Sequence, residues 1–141
     1  LGMIVDVSHL SERGFWEVAE LCDQFIASHS NCRALCNHRR NLTDEQIKCI
    51  IAHDGFIGLN FYSDFLNEKN ATVNDIIRHA EHIASLGGEH VLGFGSDFDG
   101  MDKLPDGIAG VENMAEIVCE FFKNDLLYAN LYRNIKQILK N

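Results

Sequence analysis

GFGSDFDG, residues 93–100, sets three glycines and two aspartates at the end of a short apolar run. Val91 and Leu92 lead into it, and Gly87 and Gly88 break the chain before it, so the run reads as a buried strand that finishes in a turn. Two carboxylates on such a strand end, with no lysine among them, require another source of positive charge or a set of donors. Two known uses of a glycine–aspartate loop fail on spacing. Position 98 is Phe, so G-x-G-x-x-G is not completed, and a calcium loop needs a third ligand before its glycine and a later glutamate. Capping of the following turn suits Asp99 better than Asp97, which lies nearer the strand.

Outward from this stretch the chain alternates. HVLGFGSDF (90–98) is the fourth of four apolar runs, after GMIVDVSH (2–9), QFIASHS (24–30) and GFIGLNFY (55–62). Helical spacing separates them. Ser11 stands as an N-cap before Phe15, Val18, Ala19 and Cys22; Thr43 opens the capping box T-D-E-Q before Ile47, Ile50 and Ile51. Thr72 precedes Ile76, Ile77, Ala80, Ile83 and Ala84, and further helices are expected over Val111–Phe122 and Leu126–Leu139. Strands that each lead into a helix make parallel β/α units, covered on both faces and therefore continuously apolar. Two architectures satisfy this pattern: a small doubly wound sheet or half of an eight-fold barrel.

Either architecture collects reactive groups at the C-terminal ends of the strands. The four ends carry Asp6 and His9, then His29, then Asn60 and Tyr62, then Asp97 and Asp99. One strand-end histidine would be unremarkable, but two with an aspartate on one rim suit a hydrolytic zinc site. His79 and His82, in RHAEH (78–82), match neither HExxH nor its inversion and are expected as surface or helix-face residues, away from the rim. His53 and His90 precede strands and belong to the opposite end. Cys32, Cys36 and His38 have the look of half a zinc knuckle, but no second cysteine pair completes it.

Composition narrows the partners. The chain of 141 residues has a net charge of −9 and is 46% hydrophobic, enough for one domain with a core. Nucleic acid and anionic membrane are disfavoured by the charge, and no apolar run reaches the roughly 20 residues of a membrane span. Five irregularly spaced cysteines point to reduced thiols and a cytoplasmic location. The opening LGMIVDVSHLS begins inside a strand-like run, as a segment of a longer protein would.

The words around these residues, VDVSHLS (5–11), ASHSNCRALCNHRRNLTDEQI (27–47), GLNFY (58–62) and VLGFGSDFDG (91–100), resemble in order and spacing the membrane (renal-type) dipeptidases, zinc peptidases of family M19, across residues 3–107. The resemblance implies that the chain is the C-terminal half of a (β/α)8 TIM barrel, as a single domain over 1–141 whose N-terminal half is absent. It implies that His9 and His29 each bind one zinc of a two-zinc centre, that Arg40 holds the C-terminal carboxylate of a dipeptide substrate, and that Asp97 contacts substrate and shuttles a proton. Hydrolysis by a metal-activated hydroxide follows, with only part of the site in this chain: the family's H-x-D pair, bridging glutamate and a further substrate-binding histidine are not found here. Asn130 and Arg133 echo an N-x-x-R element of the family. Association with the missing half, or of the chain with itself, is expected, because a half-barrel leaves sheet edges open. Two other functions fit the same pattern: a non-catalytic half-barrel binding module, and an amidohydrolase acting on cyclic amides.

Overall fold

The computed structural model describes residues 3–123. Four strands form one parallel sheet: β1 (Val5–Asp6), β2 (Phe25–Ala27), β3 (Phe56–Leu59) and β4 (Leu92–Phe94). Helices α1 (Glu12–Leu21), α2 (Asp44–Ala52), α3 (Ser63–Leu66), α4 (Val73–Ser85) and α5 (Met114–Phe122) alternate with them or follow. The strand order is β1-β2-β3-β4, with Val5 opposite Phe25, Ile26 opposite Phe56 and Ile57 opposite Leu92. A doubly wound sheet reverses its strand order at a switch point, whereas a barrel adds each strand beside the last. The unreversed order therefore makes this chain part of a barrel.

Local chemistry starts α1, α2 and α4 where the sequence predicts them. The Ser11 hydroxyl accepts the Gly14 N–H at 3.1 Å. Thr43 and Gln46 close a reciprocal capping box ahead of α2, and the Asp75 carboxylate accepts the Thr72 N–H at 2.9 Å ahead of α4. Phe15, Ile47, Ile50, Ile76, Ala80 and Ile83 then project from the helices onto Phe25, Ala27, Ile57, Leu59 and Leu92 of the sheet. All four residues of β3 are buried.

Two expectations are corrected and one short helix is added. The strands are shorter than the apolar runs, because Val7 and Phe61 reach the core from turns beyond the last paired residue. The four-residue α3 falls in a stretch with no apolar period. His79 is no surface residue: it is only 1% exposed, and it lies on the same face of α4 as Ile76 and Ile83. Its Nδ1 accepts the Cys32 N–H at 3.0 Å and its Nε2 donates to the Leu66 carbonyl at 3.0 Å. A histidine can join an apolar face only when both ring nitrogens find partners, and here both do. His82 is half-buried and pairs with Asp44 at 2.8 Å. The predicted helix over 126–139, with Asn130 and Arg133, lies outside the described residues.

Candidate active site at the strand ends

The loops after β1 and β2 bring the two predicted histidines together. His9 lies within a tight turn closed by the Leu10 N–H on the Val7 carbonyl, and His29 lies two residues past β2. Their Nε2 atoms are 2.8 Å apart. Arg40 comes from the long loop between β2 and α2, and its Nη2 lies 3.3 Å from His9 Nε2 and 3.5 Å from His29 Nε2. That loop is braced from within: buried Asn41 donates to the Cys36 and Phe65 carbonyls, and the Arg33 Nε–H donates to the Asn41 carbonyl. The Arg40 guanidinium also sits 5.8 Å from the centre of the Phe65 ring, so α3 provides its aromatic seat.

A layer of polar groups stands behind His29. Its Nδ1 is 2.6 Å from Ser28 Oγ, whose hydroxyl donates to Asp6 Oδ2. Asp6 Oδ1 accepts the Ser8 and Ser28 N–H groups, each at 3.0 Å. Burial pushes the Asp6 carboxyl up, but the Ser28 hydroxyl and the two amides outweigh it and leave it below the ordinary range. Burial pulls the His29 imidazole below its ordinary value; the negative charge of Asp97 opposes this and His9 adds to it.

Asp97 is three residues beyond β4 rather than on its end, in the left-handed region at φ 62°, ψ 32°. It opens a 3-10 turn over Phe98–Gly100, closed by the Gly100 N–H on its own carbonyl. A Cβ at position 100 would lie 2.3 Å from Asp97 Oδ1, so glycine there leaves room for the carboxylate. Asn60 Nδ2 donates to Asp97 Oδ2 at 3.3 Å. Asn60 is fully buried and is held in turn by Asn31, which accepts the Asn60 N–H and donates to the Asn60 carbonyl. Asp99 is exposed on the same turn.

His9 and Arg40 form a wall between two clefts. One, of about 550 Å³, is lined by Tyr62, Phe65, Asp97 and Met101 as well as these two. That volume suits a small ligand. The donor chemistry also suits a cation. Two imidazole Nε2 atoms side by side, with the Asp97 carboxylate lining the same cleft, are the ligand types zinc takes. Among the described residues, no group of three or more His, Cys, Asp or Glu side chains is placed to hold a metal.

Of the predicted site residues, His9, His29 and Arg40 converge, and Asp97 lines the same cleft. Asn60 faces Asp97 and the Tyr62 N–H from below, and Tyr62 donates its hydroxyl to Asp102 at 3.0 Å. Cys32 and Cys36 turn apart, onto the His79 and Asp64 carbonyls, and His38 Nδ1 accepts the Arg40 N–H. Sequence reasoning missed Ser28, Asn31 and Phe65. The serines flanking His29 in ASHSN were the available sign of the first; the other two act across distances of 24 to 34 residues that no local pattern records.

The model of the family described as membrane dipeptidase (peptidase family M19) matches residues 1–140. An uncharacterized protein of the pqqA 5′ region of Klebsiella pneumoniae is 34% identical, aligned over 100% of this chain and 55% of its own length. Dipeptidase aclJ of Aspergillus oryzae is 32% identical over 85% of this chain and 29% of its own length. The solved structure of a metallo peptidase from Rhodobacter sphaeroides, liganded with a phosphinate mimic of the dipeptide L-Ala-D-Ala, superposes with a TM-score of 0.90. It is 34% identical, over 99% of this chain and 42% of that one. The chain thus spans about half, or less, of the length of these relatives. On an unreversed parallel sheet, a rim of paired histidines and a family match along nearly its whole length, the chain belongs to the membrane dipeptidase family, peptidase family M19.

Proposed function

We propose that this chain supplies part of the active site of a zinc-dependent dipeptidase. The observation that carries the reading is the convergence of His9 Nε2, His29 Nε2 and Arg40 Nη2 within 3.5 Å of one another at the strand ends. His9 and His29 would hold the metal. Nitrogens 2.8 Å apart serve one ion more naturally than one ion each, since ions of a two-metal site stand about 3.5–4 Å apart. Zinc, when bound, supplies a Lewis acid and lowers the pKa of water. Arg40, seated over Phe65, offers a planar two-donor fork to the substrate's terminal carboxylate. Asp97, fixed on one oxygen by Asn60, keeps its other oxygen for a proton passing to the departing amine. An arginine beside the histidines also favours a substrate with a free carboxylate over a cyclic amide, and the family supports a dipeptide. A reducing, cytoplasmic setting is supported by five cysteines, all unpaired as thiols.

The test is made on the full-length protein. Zinc content after dialysis into metal-free buffer and hydrolysis of L-Ala-D-Ala are measured for wild type, His29→Ala and Arg40→Lys. We expect His29→Ala to lose zinc and activity together. Arg40→Lys should keep its zinc while KM rises at least 10-fold, because an ammonium does not reproduce the fork. Full zinc retention in His29→Ala, or an unchanged KM in Arg40→Lys, would overturn the assignment of that residue.

A further inference from the structure

A neutral imidazole can ligate through Nε2 only if its proton sits on Nδ1, and which nitrogen carries it depends on what the ring touches. The groups behind His29 settle this one donor at a time. The Asp6 carboxylate accepts at both oxygens: Oδ1 takes the Ser8 and Ser28 N–H groups, and Oδ2 takes the Ser28 hydroxyl. A serine hydroxyl has a single hydrogen. Once that hydrogen is committed to Asp6, Ser28 Oγ can only accept from His29 Nδ1, 2.6 Å away. The proton therefore lies on Nδ1. On the far side of the ring, Arg40 Nη2, which can only donate, faces His29 Nε2. The Ser28 side thus specifies the tautomer, and the rim side agrees with it when His9, whose Nε2 lies 2.8 Å from His29 Nε2, donates the hydrogen between the two rings.

The surroundings hold this arrangement in place. Ser8 Oγ accepts the His29 N–H at 3.0 Å, which pins the backbone next to the ring. A Cβ on Gly58 or Gly95 would lie 2.0 or 1.8 Å from the Ser28 carbonyl oxygen, so two neighbouring backbones close directly on Ser28. From this geometry we infer that Asp6 and Ser28 are positioning residues: they form a relay, Asp6 to Ser28 to His29, that locks His29 as its Nδ1–H tautomer with the Nε2 lone pair facing the rim. The relay does not touch substrate. Its purpose rests on the reading of His29 as a metal ligand, and partners of this kind change metal affinity by about 10–100-fold when removed.

The experiment reads the tautomer directly, by long-range ¹H–¹⁵N NMR of the imidazole nitrogens in the metal-free, full-length protein above neutral pH. Zinc affinity is read in parallel by competition with a chromogenic chelator. Wild type should show a protonated Nδ1 and a bare Nε2 at His29. Ser28→Ala should lose that bias and bind zinc about 10–100-fold more weakly. Asp6→Asn is the second variant. Its amide can donate to Ser28 Oγ, which frees the Ser28 proton to turn onto His29 Nδ1, so the ring should move toward the Nε2–H form and lose affinity to a similar extent. A wild-type His29 protonated on Nε2 would overturn the relay, as would a Ser28→Ala protein with unchanged tautomer and zinc affinity. Failure of the metal reading itself looks different: His29→Ala would bind zinc like wild type while the wild-type ring still showed Nδ1–H, and the relay would then have no ligand to serve.

Discussion

Histidine does two different jobs within 80 residues of this chain, and each job follows from what its two ring nitrogens touch. His9 and His29 keep Nε2 toward the rim, whereas His79 uses both nitrogens to tie the α4 helix to the loop after β2 and to α3. His79 must stay neutral to make both bonds, and burial depresses its pKa from 6.5 to about 4. Between those values the unfolded chain binds the proton and the folded chain does not. The stability that this contributes is therefore present above pH 6.5 and lost as the pH falls towards 4. The shift is worth roughly 3 kcal/mol at most. Urea unfolding at pH 7, 5.5 and 4.5 should show the decline, and His79→Gln should flatten that slope while lowering stability at pH 7. The position of His79 was legible in the sequence, three residues from Ile76 and four from Ile83, but its family of spacings also fits a surface pair. Only the partners across the fold, Cys32 and Leu66, decide between them.

Among the elements, the sequence was most readable where the signal is local. The capping residues of α1, α2 and α4 and the apolar stripes behind them needed no knowledge of the fold. The strand ends were less exact, because the chain leaves the hydrogen-bonded ladder while its side chains are still apolar. The site itself was half visible. His9, His29 and Asp97 stand out by residue type near strand ends, and Arg40 only through the family resemblance of its loop, but Ser28 and Asn31 work through bonds to groups 20 or more residues away. Glycine at the end of β4 shows the same limit: nothing in GFGSDFDG says that Gly95 abuts Ser28. The overlap at Gly95 is with backbone and cannot be relieved by turning a side chain. Gly95→Ala should cost roughly 1–3 kcal/mol in urea unfolding. It should also weaken zinc binding by displacing Ser28, while an alanine elsewhere on an exposed loop should do neither.

At the scale of the whole molecule, the described residues form an open segment of a barrel. Among the described residues, strand β1 pairs only with β2, and β4 only with β3. Around β1 and along α1, Met3 is 78% exposed and Leu21 85%, with Leu10 and Trp16 also in the open. Exposed strand edges next to apolar side chains are templates for association. The 141-residue chain in isolation should therefore elute at an apparent mass that rises with concentration, measured by size exclusion with light scattering. Replacing Leu21 with lysine should reduce that rise. A strict monomer at all concentrations would show that these groups are covered from within the chain.

The pairing of β1 with β2 has one more consequence. Asp6 stands opposite Ile26, and this register alone presents its carboxylate to Ser28. Successive side chains alternate faces, so a slip of one residue would carry Asp6 to the other side of the sheet. The proton on Ser28 would then be free to turn, and the His29 ring with it. The protonation pattern of a single imidazole thus reports whether the edge strand has docked correctly, and a misassembled barrel would be chemically silent before it was visibly misfolded.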